Sequence, residues 1–142
     1  MCGIIGYVGK KEALPVILDG LRRLEYRGYD SAGVPILNKS GAKTARAVGK
    51  VAMLAEACAG KALEGTAGIG HTRWATHGKP AEKNTHPHAD CTKHFFVAHN
   101  GIIENFQELK EELTSGGHTF KSETDSEVIA HLIEEAYKVT PV

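Results

Sequence analysis

Short apolar runs rich in β-branched residues recur along the chain and predict strands. They lie at residues 2–8, 34–37, 42–48, 66–72 and 95–98. The second and third runs flank a four-residue segment, Asn38-Lys39-Ser40-Gly41, whose Asn and Gly tolerate positive φ, so they predict a β-hairpin. Pro35 cannot donate a ladder hydrogen bond, so the strand that contains it is expected to be an edge or to be interrupted there.

Other segments repeat apolar residues every three or four positions, which is the spacing of one helix face. Residues 14–24, with Pro15 in the first turn, predict a helix of about three turns that ends before Gly28. Residues 51–59 predict a short second helix, and residues 103–113 predict a third.

The last predicted helix has a clear start signal. Thr124 and Glu127 have the spacing of a capping box ahead of an apolar run. Its predicted buried stripe consists of apolar residues at helical spacing, namely Val128, Ile129, Leu132, Ile133 and Ala136.

A polar segment at residues 73–91 interrupts this pattern and is rich in histidine, proline and glycine. It is predicted to be a long loop of the kind that binds ligands or forms a lid. Hairpin-linked strands argue against a doubly wound parallel sheet, so the predicted class is α+β, with antiparallel sheets covered by helices. No closing strand is predicted after the last helix, so we expect the chain to supply only part of a layered core.

The composition restricts the partners that the chain can have. The 142 residues carry 17 Lys+Arg and 17 Asp+Glu, so neither nucleic acid nor a membrane surface is an expected partner. The apolar run at residues 4–8 is too short for a signal segment, which predicts a cytoplasmic protein. Three cysteines at irregular spacing argue against a disulfide framework, so one of them could be a reactive thiol.

Cys2 is the first candidate for chemistry. A cysteine is small enough for Met1 to be removed, which would leave a thiol and a free α-amine on the same residue. That amine titrates at about 7.7–8.0, so it can accept the thiol proton near neutral pH. Position alone favours an inert cysteine buried at the start of a strand, so other motifs must support the nucleophile.

Two further pairs of residues fit the same chemistry. Asn100-Gly101 follows a predicted strand and offers a side-chain amide and a backbone N–H as oxyanion donors, although Asn-Gly is also a common turn dipeptide. Arg73 and Asp125 could bind the carboxylate and ammonium groups of an amino acid. Each of these two also fits a structural role, Asp125 in the first turn of a helix and Arg73 as a surface charge.

Longer blocks of the sequence resemble the class II glutamine amidotransferases, whose glutaminase domain begins with a Cys-Gly-Ile strand like the one at residues 2–6. The blocks at residues 21–33, 71–78, 99–105 and 122–127 are similar to those of the glucosamine-6-phosphate synthases and follow the same order. The resemblance covers nearly the whole chain.

The resemblance implies catalytic roles for three residues. Cys2 is implied to attack the side-chain amide carbon of L-glutamine while its α-amine shuttles the proton. Asn100 and Gly101 are implied to hold the oxyanion.

Substrate-binding roles are implied in the same way. Arg73 is implied to bind the α-carboxylate with help from Thr76 and His77, and Asp125 to bind the α-ammonium. Trp74 is implied to belong to a loop that closes over glutamine.

The implied fold is the four-layer αββα sandwich of the N-terminal nucleophile hydrolases, of which this chain is expected to supply the N-terminal part. In the family, ammonia passes through a channel to sugar-isomerase domains, which convert fructose 6-phosphate to glucosamine 6-phosphate. Those domains are absent from this chain. The resemblance implies no cofactor and no metal, and a homo-oligomeric full-length enzyme.

Three alternatives stay open. The purine or asparagine branch of the class II amidotransferases would share glutamine hydrolysis and differ in the acceptor. The chain could also be an inactive structural or regulatory fragment. Finally, Cys91 and the neighbouring histidines His86, His88 and His94 could form a zinc site, but their spacing is loose and only one cysteine is present.

Overall fold

The structure is a computed structural model and describes residues 2–74 and 80–140. Within these ranges the chain forms strands and α-helices in mixed order, with two single-turn 3₁₀ helices between them. In chain order the elements are β1 (Gly3–Val8), α1 (Ala13–Arg23), β2 (Ser31–Asn38), β3 (Gly41–Val48), α2 (Val51–Cys58), β4 (Ala67–Arg73), β5 (His88–Ala89), β6 (Phe96–Val97), α3 (Phe106–Ser115) and α4 (Glu127–Val139).

The main sheet has the strand order β1-β4-β2-β3, and every pair in it is antiparallel, as predicted. The predicted hairpin is confirmed, but its loop is shorter, because Asn38 already pairs with Gly41. The Asn38 side chain accepts a hydrogen bond from the Ser40 backbone N–H at 2.8 Å, and Gly41 adopts a φ of 118°. The turn therefore uses the positive φ that glycine tolerates and the side-chain acceptor of Asn38, not a positive φ at Asn38.

Pro35 lies in a central strand that is interrupted on one side. It pairs with Thr44 on β3, whereas the pairing of β2 with β4 covers residues 31–33 and 36–37 and omits 34–35. The missing N–H of proline is thus accommodated by a gap in one ladder. The strand that contains Pro35 is therefore interrupted, as one of the two expectations had it, and is not an edge strand.

The first strand is an edge strand and is covered on one face only. Ile4 is 41% exposed and Val8 is 87% exposed. The β-branched run at residues 2–8 predicts a buried strand, and that prediction is wrong for one face, because alternate side chains of β1 point away from the helices.

Helices α1 and α2 cover one face of the main sheet and form the principal hydrophobic core with it. Ile17 and Leu21 of α1 meet Ile36 of β2 and Leu54 of α2, all of them fully buried or nearly so. A Cβ on Gly70 of β4 would lie 2.3 Å from the Ile17 side chain, so glycine is what permits α1 to approach this closely.

The other face of the main sheet meets the segment that leads into β5. Arg46 of β3 donates a hydrogen bond to the Pro87 carbonyl at 2.6 Å, and a Cβ on Gly33 would lie only 2.3 Å from the His86 carbonyl oxygen. Beyond this segment, α4 packs on the β5–β6 pair and α3 packs on α4. The described residues thus follow the predicted layer order of helices, sheet, sheet and helices.

The predicted long loop contains regular structure. A 3₁₀ turn forms at Glu82–Asn84, and His88–Ala89 pairs with Phe96–Val97. Two-residue strands of this kind give too short an apolar run to be recognised from periodicity.

The last helix is present, but its predicted cap and buried stripe are partly wrong. The Glu127 carboxylate accepts hydrogen bonds from the Lys121 and Ser122 backbone N–H groups at 2.8 and 2.7 Å, instead of capping with Thr124. Leu132 and Ile133 are 39% and 38% exposed. The side chains that this helix buries include Glu127, Val128, His131 and Glu134.

None of the helices within residues 2–74 and 80–140 is long and apolar enough to cross a membrane.

Candidate active site

Cys2 lies at the start of the edge strand, beside the residues that follow β4. Gly3 pairs with Thr72, and the Thr72 hydroxyl accepts a hydrogen bond from the Gly3 backbone N–H at 3.0 Å. The Trp74 backbone N–H points at the Cys2 Sγ atom at 3.0 Å. The antiparallel pairing of β1 with β4 therefore fixes where the thiol lies.

Asn100 reaches the same point from a distant part of the sequence. Its Nδ2 atom donates to the Cys2 carbonyl oxygen at 3.2 Å, and its Oδ1 atom lies 2.8 Å from Nε2 of His71. An amide oxygen only accepts, so Nε2 of His71 carries the proton, and this contact sets which way the Asn100 amide faces. A side-chain amide has two N–H groups, so one remains for a ligand.

His71 is neutral at physiological pH. Burial lowers its pKa to about 4, and the hydrogen bond to Asn100 only partly opposes that effect. His71 stacks on His86, with ring centroids 4.6 Å apart, and burial together with the neighbouring His88 lowers the pKa of His86 to about 2. These two rings form an uncharged layer beneath Asn100.

Gly101 follows Asn100 and lines the same cavity as Asn100 and Cys2. A Cβ at this position would lie 2.7 Å from Nε2 of His99, so the close approach of that ring requires glycine or a shift of the ring. His99 is held in turn by the Ser126 hydroxyl, 3.1 Å from its Nδ1 atom. Gly101 lies where the chain bends after β6, which agrees with the turn reading as well as with a role in binding.

Arg73 and Asp125 provide opposite charges that are both buried, at 3% exposure each. Arg73 ends β4, with a guanidinium nitrogen 3.9 Å from the Asp30 carboxylate. Asp125 precedes Ser126, the N-cap residue of α4, and so lies just outside the first turn in which it was predicted. Its carboxylate accepts the Ile103 backbone N–H at 2.7 Å.

One cavity of about 340 Å³ joins these groups, which is within the range of small-molecule sites. Its lining includes six residues that the sequence predicted, namely Cys2, Arg73, Trp74, Asn100, Gly101 and Asp125. The other two predicted site residues, Thr76 and His77, lie outside the described residues.

Sequence reasoning missed the supporting residues of the site. His71, His86 and His99 also line the cavity, and none of them was assigned a role in the glutamine site, since His86 was considered only as a ligand of the alternative zinc site. His71 and His99 open two of the blocks that carry the family resemblance, so their position in those blocks was a usable signal. The stacking of His86 on His71 has no signal in the sequence, because the two residues meet only in the fold.

Comparison with known proteins identifies the family. Residues 57–139 match the family described as "Glutamine amidotransferase domain". The chain belongs to the glutamine amidotransferase family.

The amidotransferase domain is also similar to longer proteins over almost its whole length. It is 56% identical over 138 residues to a glutamine–fructose-6-phosphate aminotransferase (isomerizing) of Thermus thermophilus, with 97% of this chain and 23% of that protein covered. It is 57% identical over 138 residues to the protein of that name from Thermococcus kodakarensis, again with 97% and 23% covered. The chain therefore spans about a quarter of the length of these curated relatives.

Solved structures of purine-pathway enzymes share the fold of this domain. Glutamine phosphoribosylpyrophosphate amidotransferase from B. subtilis, complexed with ADP and GMP, superposes with a TM-score of 0.73 at 28% identity, covering 94% of this chain and 29% of that one. A structure described as the allosteric regulatory enzyme of purine biosynthesis gives a TM-score of 0.75 at 29% identity, with the same coverage. The expected fold of the N-terminal nucleophile hydrolases is confirmed.

Proposed function

We propose that this chain hydrolyses L-glutamine with Cys2 as an N-terminal nucleophile and supplies the ammonia to a sugar acceptor. One observation carries the proposal. The Cys2 thiol, the Asn100-Gly101 donor pair and the buried charges of Arg73 and Asp125 line the same cavity.

Removal of Met1 is the first requirement of the mechanism. It frees the α-amine of Cys2, which then takes the thiol proton, because a free α-amine titrates at about 7.7–8.0. The resulting thiolate attacks the side-chain amide carbon of glutamine and forms a tetrahedral intermediate.

The intermediate places negative charge on the former carbonyl oxygen. The Asn100 Nδ2 N–H and the Gly101 backbone N–H stabilise that oxyanion. As the intermediate collapses, the α-ammonium returns its proton to the leaving nitrogen and the C–N bond breaks. Ammonia leaves, and a γ-glutamyl thioester remains on Cys2. Water then hydrolyses the thioester, which releases glutamate and regenerates the thiol.

Arg73 and Asp125 select an amino acid by its backbone groups. The guanidinium binds the α-carboxylate, with Thr76 and His77 contributing, and the carboxylate accepts the α-ammonium. Both side chains are already buried and held by neighbours, so little conformational entropy is lost when the substrate binds. Trp74 covers the substrate from the loop that follows β4.

The acceptor that we propose is fructose 6-phosphate, aminated to glucosamine 6-phosphate by parts of the protein beyond this chain. High identity to relatives with that printed activity supports the sugar branch, whereas the purine enzymes are only 28–29% identical. Homo-oligomerisation and cytoplasmic location stay predictions.

Covalent capture tests the nucleophile directly. The intact protein is incubated with an electrophilic ketone analogue of glutamine, and the labelled peptide is mapped by mass spectrometry. We expect one label, on Cys2, and protection by glutamine. Labelling of Cys91 or Cys58 with Cys2 unmodified would contradict the proposed nucleophile.

Amide-labelled glutamine tests the acceptor. Given fructose 6-phosphate, the intact protein should transfer the labelled nitrogen into glucosamine 6-phosphate. If labelled ammonia is released but no labelled amino sugar forms, the proposed sugar acceptor is wrong, while the proposed glutamine hydrolysis stands.

A further inference from the structure

Four potential metal ligands converge in the second half of the chain, away from the cavity that contains Cys2. The atoms are Cys91 Sγ, His118 Nδ1, His131 Nδ1 and a carboxylate oxygen of Glu134, and all lie within 4.8 Å of one another. The two histidines and the glutamate are at most 5% exposed. Cys91 lies at the surface, which leaves a route for an ion to enter.

Three different parts of the fold bring these atoms together. Cys91 follows β5, His118 comes directly after the turn that ends α3, and His131 and Glu134 lie one helical turn apart on the buried face of α4. Sequence reasoning missed this set, because the Cys91 partners are 27 to 43 residues away along the chain.

Five of the six distances between these atoms are close to those of tetrahedral coordination, and the sixth, from Cys91 to Glu134, is at most 4.8 Å. Cys91 Sγ lies 3.6 Å from each histidine Nδ1, and the two Nδ1 atoms are 3.1 Å apart. Glu134 Oε2 lies 3.3 Å from Nδ1 of His118 and 3.7 Å from Nδ1 of His131. Bond lengths of about 2.0–2.1 Å to nitrogen and about 2.3 Å to sulfur would place tetrahedral zinc ligands about 3.3–3.6 Å apart.

The outer nitrogens of both histidines face carboxylates. Nε2 of His118 lies 2.7 Å from Glu135, within hydrogen-bond distance, whereas Nε2 of His131 lies 3.6 Å from Glu127, beyond it. The Glu135 carboxylate keeps the His118 ring proton on Nε2 and leaves a lone pair on Nδ1, which is how histidine ligands are oriented around metals. Bound metal would place the His131 proton on Nε2 in the same way, facing Glu127, and would join the sulfur, the two Nδ1 atoms and the carboxylate oxygen.

Backbone groups support the sulfur and carboxylate ligands. The Thr119 N–H points at Cys91 Sγ at 3.4 Å, and the Cys91 N–H donates to Glu134 Oε2 at 3.1 Å. Such hydrogen bonds stabilise negative charge on a thiolate and a carboxylate.

We propose that Cys91, His118, His131 and Glu134 bind one structural Zn²⁺ ion. A thiolate with two imidazoles favours zinc over magnesium or calcium, which prefer oxygen ligands. Four protein ligands close the coordination sphere, so the ion has no open position for catalysis and instead stabilises the fold.

The distribution of the core fits such an ion. The principal hydrophobic cluster is drawn from residues 13–63, whereas the buried side chains of α4 include Glu127, His131 and Glu134. A metal that joins the β5 loop, the end of α3 and α4 would supply stability that apolar burial does not. It would also fix α4, whose N-terminal side carries Asp125.

Metal content and cobalt substitution test this proposal on the intact protein. After dialysis against zinc and gel filtration, elemental analysis should find one zinc ion per chain. Replacement by Co²⁺ should give the intense visible bands of tetrahedral cobalt and a thiolate-to-cobalt charge-transfer band, which report a sulfur ligand without any mutation. Removal of zinc by a chelator should lower the Tm, and added zinc should restore it.

Matched variants identify the ligands. Cys91→Ser and His131→Gln should lose at least about nine-tenths of the bound zinc. Cys58→Ser, in the principal core, and His94→Gln, at an exposed histidine three residues after Cys91, should retain it. A wild-type protein without bound zinc, or a cobalt spectrum without the thiolate band, would overturn the proposal. Equal zinc retention in Cys91→Ser would do the same.

Discussion

The contact between His71 and Asn100 orients the side-chain amide of the candidate oxyanion site. Because burial keeps His71 neutral, its Nε2–H is committed to Asn100 Oδ1, and the amide nitrogen is directed to Cys2. The sequence predicted Asn100, since Asn-Gly after a strand is a recognisable pattern. It did not reveal what aligns the amide, since His71 lies 29 residues earlier, on β4, and meets Asn100 only in the fold.

Replacing Asn100 tests the oxyanion role. Asn100→Ala removes one donor and should lower kcat for glutamine hydrolysis by about 100- to 1,000-fold, with little change in KM. Asn38→Ala, at the end of β2 beside the hairpin turn, is a matched control and should keep the wild-type rate. Steady-state assays of ammonia release distinguish the outcomes, and a pure KM effect in Asn100→Ala would argue for substrate binding instead.

At the scale of elements, local patterns predicted α1, the β2–β3 hairpin and β4 with small errors in their bounds. Each of these is specified by its own apolar spacing and turn residues. The buried face of α4 was predicted wrongly in part. Polar contacts with residues before the helix, and not apolar spacing alone, determine which side chains of α4 are buried. Glu127 meets residues 121–122 and His131 meets His118, so ionisable side chains are buried while Leu132 and Ile133 are half-exposed.

The close packing of α1 on β4 depends on Gly70. Gly70→Ala would force a methyl group against Ile17 and should reduce the free energy of unfolding by about 1–3 kcal/mol. Gly6→Ala on the edge strand is the control, because a Cβ there meets nothing within 4 Å. Urea titrations of the three proteins measure the difference, and equal midpoints for Gly70→Ala and Gly6→Ala would refute the packing argument.

On the scale of the whole molecule, the layers meet through polar and titratable side chains as well as through the apolar core. His71 on the main sheet stacks on His86 in the segment leading to β5, and both are held neutral by burial. The layer order could be predicted from the family resemblance. The histidine contact between the layers could not, because no local pattern encodes it.

This contact makes stability depend on pH. The pKa values of His71 and His86 are lowered to about 4 and about 2 in the folded state, so below the ordinary value of about 6.5 the unfolded chain binds more protons. Their contribution is therefore complete above about pH 6.5 and is lost as the pH falls toward 4. Each such group adds up to about 1.4 kcal/mol per pH unit to the slope with which the free energy of unfolding falls as the pH is lowered.

Urea titrations between neutral pH and pH 4.5 measure this effect. His86→Gln should flatten the pH dependence, while His94→Gln, at an exposed histidine, should leave its slope unchanged. Stability that stays constant or rises as the pH is lowered through 6 would contradict this reading of the interface.

The nucleophile is the central claim, and ammonia release from glutamine by two cysteine variants tests it most directly. Cys2→Ala in the intact protein should reduce hydrolysis to the background rate, because Cys2 is the one thiol among the described residues that line the cavity. Cys58→Ala should retain it, because Cys58 lies in the hydrophobic core, where burial raises its thiol pKa. Wild-type ammonia release by Cys2→Ala would contradict the mechanism.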